Sequence, residues 1–255
     1  MKRIAHISDL HFGRADPAVV DGLAADLSEF APDVCVVTGD LTQRARPDQF
    51  ERARRFLGEL PFPKLVVPGN HDIAPLWQPL RRISAPFRLY KHHIAELLDS
   101  VFIDDEVLVV GLCTVRPLRW KEGGIYRRQL AWTEAMVRDH PRHFHVLAAH
   151  HPLARDELHV VDALDRMGIE LMLTGHVHRS YSAPLSRQLG RSHSVLVAGA
   201  STATSTRLRG QPNGYNRIAL DRARVELDLR VWDGQRFVSQ STASYLRSSE
   251  GWLTS

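Results

Sequence analysis

Long apolar runs are missing from this sequence. No uninterrupted hydrophobic stretch approaches the roughly 20 residues needed to cross a bilayer, which excludes a membrane-spanning helix. The short run Ile4-Ala5-His6-Ile7-Ser8, ended by Asp9, has neither the length nor the small-residue cleavage site of a signal peptide, so a cytoplasmic protein with no membrane partner is expected. Cysteine is scarce: Cys35 and Cys113 are the two present, each inside an apolar run, and they read as small buried hydrophobes rather than a disulfide framework. Lysine is scarce as well, since only Lys2, Lys64, Lys91 and Lys121 stand among 33 basic residues. An arginine-dominated positive charge suits bidentate binding of phosphate, although a net +4 over 255 residues is no nucleic-acid signature. Low-complexity segments, internal repeats and a clear linker are also lacking, which leaves one domain over residues 1–255.

What is present is an alternation of short β-branched runs with longer helical patterns, the mark of an α/β fold with much parallel sheet. Strands are predicted near residues 3–8, 34–38, 65–67, 101–104, 107–113, 145–149 and 169–173, and helices near 17–30, 47–60, 128–139 and 160–167. Runs at 194–200, 215–220, 224–232 and 236–239 read as a second, mostly antiparallel set, and the polar tail from Ser239 onward is expected to be poorly ordered. Residues 73–100 are irregular, with prolines, arginines and aromatics ahead of an amphipathic end at Ile94 to Leu98. They read either as a lid that contributes arginines to a substrate or as a solvated helix pair.

The strand ends carry the chemistry. The first stops at Asp9-Leu10-His11, the second at Gly39-Asp40, the third at Gly69-Asn70-His71-Asp72, and two later ones at His150-His151-Pro152 and Gly175-His176-Val177-His178. Carboxylates and imidazoles are costly to bury without partners, so five such ends argue against plain core packing. A carboxylate able to bridge, several neutral imidazoles and open positions for water and substrate are what a two-metal site requires. Asn70 on its own has a second reading as a turn cap after Gly69. Spacing does not decide between His150 and His151 as a ligand.

In order and content these five blocks, spanning residues 9 to 178, resemble the calcineurin-like metallophosphoesterase superfamily. The resemblance implies a four-layer αββα sandwich of two facing mixed β-sheets flanked by helices, with metals at the carboxyl edges. It implies that Asp9, His11 and His178 hold one ion, that Asp40 bridges, and that Asn70, His150 and His176 hold the other. The two ions would be divalent or mixed-valence manganese, iron or zinc. His71 would face the substrate phosphate as the catalytic histidine, with Asp72 and His151 orienting ligands. The implied mechanism is in-line attack by a hydroxide held between the metals.

Within that superfamily, Gln43 and Asp72 stand where phosphoprotein phosphatases carry aspartate and glutamate. His71 stands where lipid A precursor pyrophosphatases carry arginine. The pattern that remains resembles the bacterial cyclic-nucleotide and glycerophosphodiester phosphodiesterases, and a small phosphodiester is the expected substrate. Phosphomonoester hydrolysis, a DNA nuclease and a non-catalytic scaffold of the same fold are the alternatives. The missing basic-aromatic platform speaks against the nuclease. The filled ligand positions speak against the scaffold. The hydroxyl-rich segment 201–210, ending in Arg207 and Arg209, reads either as the pocket border or as a plain polar loop, and a homodimer is compatible with all of these readings.

Overall fold

The computed structural model describes residues 1–119, 122–153, 157–185, 195–249 and 251–254. The predicted loop at 116–126 and the run at 194–200 therefore fall partly outside the described residues, at 120–121 and 194.

In the first half of the chain, β1 (Lys2–Ile7), β2 (Val34–Thr38) and β3 (Lys64–Val67) alternate with α1 (Pro17–Phe30) and α2 (Pro47–Glu59). Helix α1 begins with Pro17 in its first turn and with the Asp16 carboxylate accepting the Ala18 N–H at 3.0 Å. It ends at Ala31, whose left-handed backbone returns its N–H to Leu27 O. The chain then forms α3 (Pro79–Ser84), α4 (Arg88–His93), β4 (Ser100–Ile103), β5 (Val107–Leu112), α5 (Arg127–Asp139), β6 (Phe144–Ala149), α6 (Leu158–Met167) and β7 (Leu171–Thr174). It closes with β8 (Tyr181–Pro184), β9 (Leu196–Gly199), β10 (Gly214–Leu220), β11 (Arg224–Trp232), β12 (Phe237–Ser248) and β13 (Gly251–Thr254).

Two sheets result. One has the order β13-β12-β11-β10-β1-β2-β3, parallel through β1, β2 and β3 and antiparallel elsewhere. The other has the order β4-β5-β6-β7-β9-β8, parallel from β5 to β9 with antiparallel edges. Their inner faces meet through Ile4, Val36, Val67, Val109, Val146, Leu173 and Ile218. The outer face of the first sheet is covered by α1 and α2 through Leu23, Leu27, Phe50 and Phe56, and that of the second by α6 and α5 through Val160, Leu164 and Val137. Burial on both faces explains why β2, β5, β6 and β7 are apolar at nearly every position instead of alternating. The expected αββα layering is the observed one.

Two expectations are corrected and one strand is added. The described residues of the tail, 239–249 and 251–254, form regular structure: β12 runs 12 residues and pairs with both β11 and β13. The run expected at 236–239 is its beginning; beyond it the exposed serine and threonine positions made the continuation look like a polar tail, while Phe237 and Tyr245 enter the core. Residues Ile94 to Leu98 form no helix; α4 precedes them, and Ile94, Ala95 and Leu98 pack as a turn on the core beneath α1 and α2. Strand β8, which the sequence reading did not include, ends in Pro184 and lies at a sheet edge, where proline is tolerated.

Candidate functional site

The carboxyl ends of β1, β2 and β3 in one sheet and of β6 and β7 in the other converge on one cleft, where open α/β sheets place their sites. The turns are too tight for ordinary backbone. Asp9, His11, Asp40, His176 and His178 have φ of 55°, 48°, 53°, 69° and 56°, and they are five of the seven non-glycine residues with positive φ among those described. Left-handed conformations on such residues cost on the order of 1–3 kcal/mol each, and they persist where surrounding structure compels them. Close approach also dictates glycine: a Cβ on Gly69 would collide with Asp40 Oδ1, and one on Gly175 with Ser8 Oγ.

Asp9, His11, Asp40 and His178 form one group, with one potential ligand atom from each lying within 4.8 Å of the others. His178 Nε2 is 3.1 Å and His11 Nε2 3.5 Å from Asp9 Oδ1, and the two imidazole Nε2 atoms are 3.2 Å apart. A second group is His150, His151 and His176. The Asn70 amide oxygen sits between two of its members, 3.1 Å from His150 Nε2 and 3.0 Å from His176 Nδ1. Asp40 lies between the groups, with Oδ1 3.5 Å from His150 Nε2 and Oδ2 3.8 Å from His11 Nε2.

Neighbouring groups aim these side chains. The His150 Nδ1–H donates to Thr38 O at 2.7 Å, which turns Nε2 toward Asp40. Thr38 O also accepts Ser8 Oγ–H at 3.0 Å, and Ser8 Oγ lies 2.6 Å from Asp9 Oδ2. Below the cleft, burial pushes the His6 imidazole down to about 3. Neutral His6 accepts from Asn216 Nδ2 at 3.2 Å and donates from Nε2 to Thr38 Oγ1 at 3.0 Å, so it is a satisfied core residue. Asp72 does not touch the clustered side chains. It accepts the N–H groups of Leu41 (3.1 Å), Thr42 (2.9 Å) and Gly69 (2.9 Å), joining the loops after β2 and β3. His151 is itself a member of the second group, with Nδ1 2.8 Å from Thr114 Oγ1 and a buried Nε2 without a hydrogen-bond partner.

Charge within the site is held by opposition. Burial opposes ionisation of Asp9, but hydrogen bonds from His11 and His178 hold it well below the usual carboxylate range. Burial likewise opposes a charged His150, yet the Asp40 charge and hydrogen bond push it up to about 9. Burial drives His176 down to about 4 and His151 to about 2, with the nearby His150 acting in the same direction on both. Among the described ion pairs, Asp9 and Asp40 meet only histidines, never lysine or arginine, and Asp9 Oδ1 faces the His11 and His178 nitrogens alone. Two buried carboxylates with imidazole nitrogens pointed inward form a donor set that fits borderline divalent cations.

The cleft is about 380 Å³ in volume. His71 enters its wall with Nδ1–H donating to Gln43 O at 2.8 Å, and burial lowers its pKa. Arg207 and Arg209 also line the cleft, so the segment 201–210 reaches the pocket. The 73–100 stretch contributes Ile73, Pro75 and Trp77, not arginines. Its Arg82 is buried and donates to Ala74 O and Pro117 O at 2.6 Å each, acting as a tie between loops. One residue that escaped sequence reasoning is Arg44, whose guanidinium lies 5.2 Å from the ring centre of Trp77, an aromatic of the 73–100 stretch. Arg44 follows Asp40 by four positions in the same loop, and extending the Gly39-Asp40 block would have found it.

A metal-binding phosphoesterase is the class that this fold and donor set define. The profile of the family described as Calcineurin-like phosphoesterase matches residues 2–180, and the chain belongs to that family. It is 42% identical over 84 residues to the glycerophosphodiester phosphodiesterase GpdQ of Enterobacter lignolyticus, a match covering 27% of this chain and only 29% of that relative. It is 23% identical over 244 residues to a probable cyclic nucleotide phosphodiesterase of Synechococcus sp., covering 86% of this chain and 87% of the relative. Among solved structures, Vacuolar Protein Sorting 29 from Cryptosporidium parvum matches 96% of this chain and 98% of its own, with a TM-score of 0.51 at 13% identity, a likeness of fold. Among the described residues, no helix is long and apolar enough to cross a membrane.

Proposed function

We propose that the protein is a two-metal phosphodiesterase acting on a small anionic diester of the cyclic-nucleotide or glycerophosphodiester type. In this reading Asp9, His11 and His178 hold one ion, Asn70, His150 and His176 hold the other, and Asp40 bridges them. Manganese, iron and zinc all suit the mixture of carboxylate, amide and imidazole ligands. The observation that carries the reading is Asp40, whose two oxygens are turned toward histidines of different groups. When bound, the ions would polarise the phosphoryl group and lower the pKa of the attacking water.

The chain's own residues do the rest. The Nδ1–H of His71 is held by Gln43 O, which leaves Nε2 to take up a proton; in its doubly protonated form Nε2–H stabilises charge on phosphate or passes that proton to the leaving oxygen, returning to the neutral imidazole. Arg44, Arg207 and Arg209 supply positive charge around the cleft for the diester and its substituents. Trp77 offers an aromatic wall beside them. The names of the relatives support diester over monoester chemistry. Hydrolysis of bis-p-nitrophenyl phosphate and of p-nitrophenyl phosphate, each with manganese, tests this directly. A diester preference is expected, and a clear monoester preference would overturn the assignment.

A further inference from the structure

The turn that carries Asp9 and His11 has two unusual residues in a row of three, and its backbone polar groups must be satisfied from outside. The loop after β2 takes the donors: Asp9 N–H reaches Gly39 O at 3.0 Å, His11 N–H reaches Asp40 O at 2.9 Å and Phe12 N–H reaches Leu41 O at 2.8 Å. The acceptors face the other way, onto the hydroxyl-rich segment. Ser8 O takes Ala203 N–H at 2.9 Å, Asp9 O takes the Thr202 hydroxyl at 2.6 Å, and Leu10 O takes the Thr204 hydroxyl at 2.6 Å.

Both threonines are buried. An extended chain presents every second side chain on one side, which is how Thr202 and Thr204 reach neighbouring carbonyls while Ala203 enters the core. Asn213 pins the segment by donating to Thr202 O at 3.2 Å and Ser205 O at 2.9 Å. At the far end, Arg207 O accepts the His178 Nδ1–H at 3.4 Å, which leaves His178 Nε2 toward Asp9. One segment therefore holds the turn that carries Asp9 and His11 and also meets His178, and among the described residues no hydrogen bond ties it to Asn70, His150 or His176.

The geometry points to Thr202 and Thr204 as positioning residues for the Asp9, His11 and His178 site: their hydroxyls hold the strained turn in the shape that binds one of the two ions. This rests on the two-metal reading. The test is manganese binding by titration calorimetry, with the melting temperature of metal-free protein as control, on wild type, T202V, T204V, the double valine variant and T202S/T204S. Valine keeps the volume and removes the donor; serine keeps the donor. Lost supporting hydrogen bonds around ligands weaken metal sites by about 10- to 100-fold. The double valine variant should therefore show one class of site weakened by at least about tenfold, the other retained, and the serine variant should bind like wild type. Equal binding by the valine variants, or equal weakening of both sites, overturns the inference. If the valine variants do not fold, the serine variant decides, because its loss of one site would show that the methyl groups and not the hydroxyls matter. Wild-type protein that binds no manganese sinks the two-metal reading and this inference together, whereas the other adverse outcomes sink the inference alone.

Discussion

Asp72 Oδ1 accepts both the backbone N–H of Thr42, at 2.9 Å, and its hydroxyl, at 3.0 Å. With Oδ2 taking the N–H groups of Leu41 and Gly69, one carboxylate fastens the loop bearing Asp40 to the loop bearing Asn70 and His71. Asp72→Asn keeps the shape but sets an amide N–H₂ against backbone donors. A loss of about 1–3 kcal/mol in urea unfolding is expected, together with weaker metal binding. Unchanged stability would show that the loops are held by something else.

His71 is predicted to act on substrate rather than on metal. His71→Ala should lower kcat by roughly 10²-fold or more, the usual worth of a positioned acid or base, with metal content close to wild type by elemental analysis. Loss of metal in this variant would make His71 a ligand instead.

The cleft arginines are predicted to act in binding. Arg207→Ala and Arg209→Ala should each raise KM for a diester by about tenfold with a smaller change in kcat, since a hydrogen bond to a charged group is worth about 1.5–3 kcal/mol. Steady-state kinetics on both variants would show it. An unaltered KM would make these residues bystanders.

Away from the cleft, Asp26 of α1 ties the first sheet to its helix layer. It pairs with Arg217 at 2.9 Å and Arg230 at 2.7 Å and accepts the Tyr215 hydroxyl. Burial opposes its ionisation, but the Arg230 and Tyr215 hydrogen bonds and both arginine charges lower its pKa. A depressed carboxylate contributes stability above its unfolded pKa of about 4 and loses it as pH falls through the folded value. Asp26→Asn should therefore cost on the order of 2 kcal/mol at pH 7, and the gap from wild type should narrow below about pH 4. A gap independent of pH would contradict the linkage.

Most of the framework was legible because parallel strands buried on both faces read as short apolar runs, and because Asp9, Asp40, His150 and His176 stand where those runs stop. What was hidden depended on the third dimension. Nothing local in Ser201 to Arg207 reveals that Thr202 and Thr204 would bond to carbonyls roughly 190 residues earlier. The positive φ of Asp9 and His11 is likewise imposed by those partners rather than by glycine at those positions. The continuation of β12 beyond residue 239 was obscured because its exposed positions are largely serine and threonine. The arginines of 73–100 read equally as lid residues or as part of a solvated helix pair, and only the buried bonds of Arg82 to Ala74 O and Pro117 O show that this one ties loops together.

The central claim is that two metal ions share Asp40, and metal stoichiometry tests it most directly. Elemental analysis of wild-type protein equilibrated with manganese and then desalted should find about two ions per chain, and Asp40→Ala should find almost none. Wild-type protein that is folded yet holds no metal, or an Asp40→Ala variant that keeps both ions, would contradict the account.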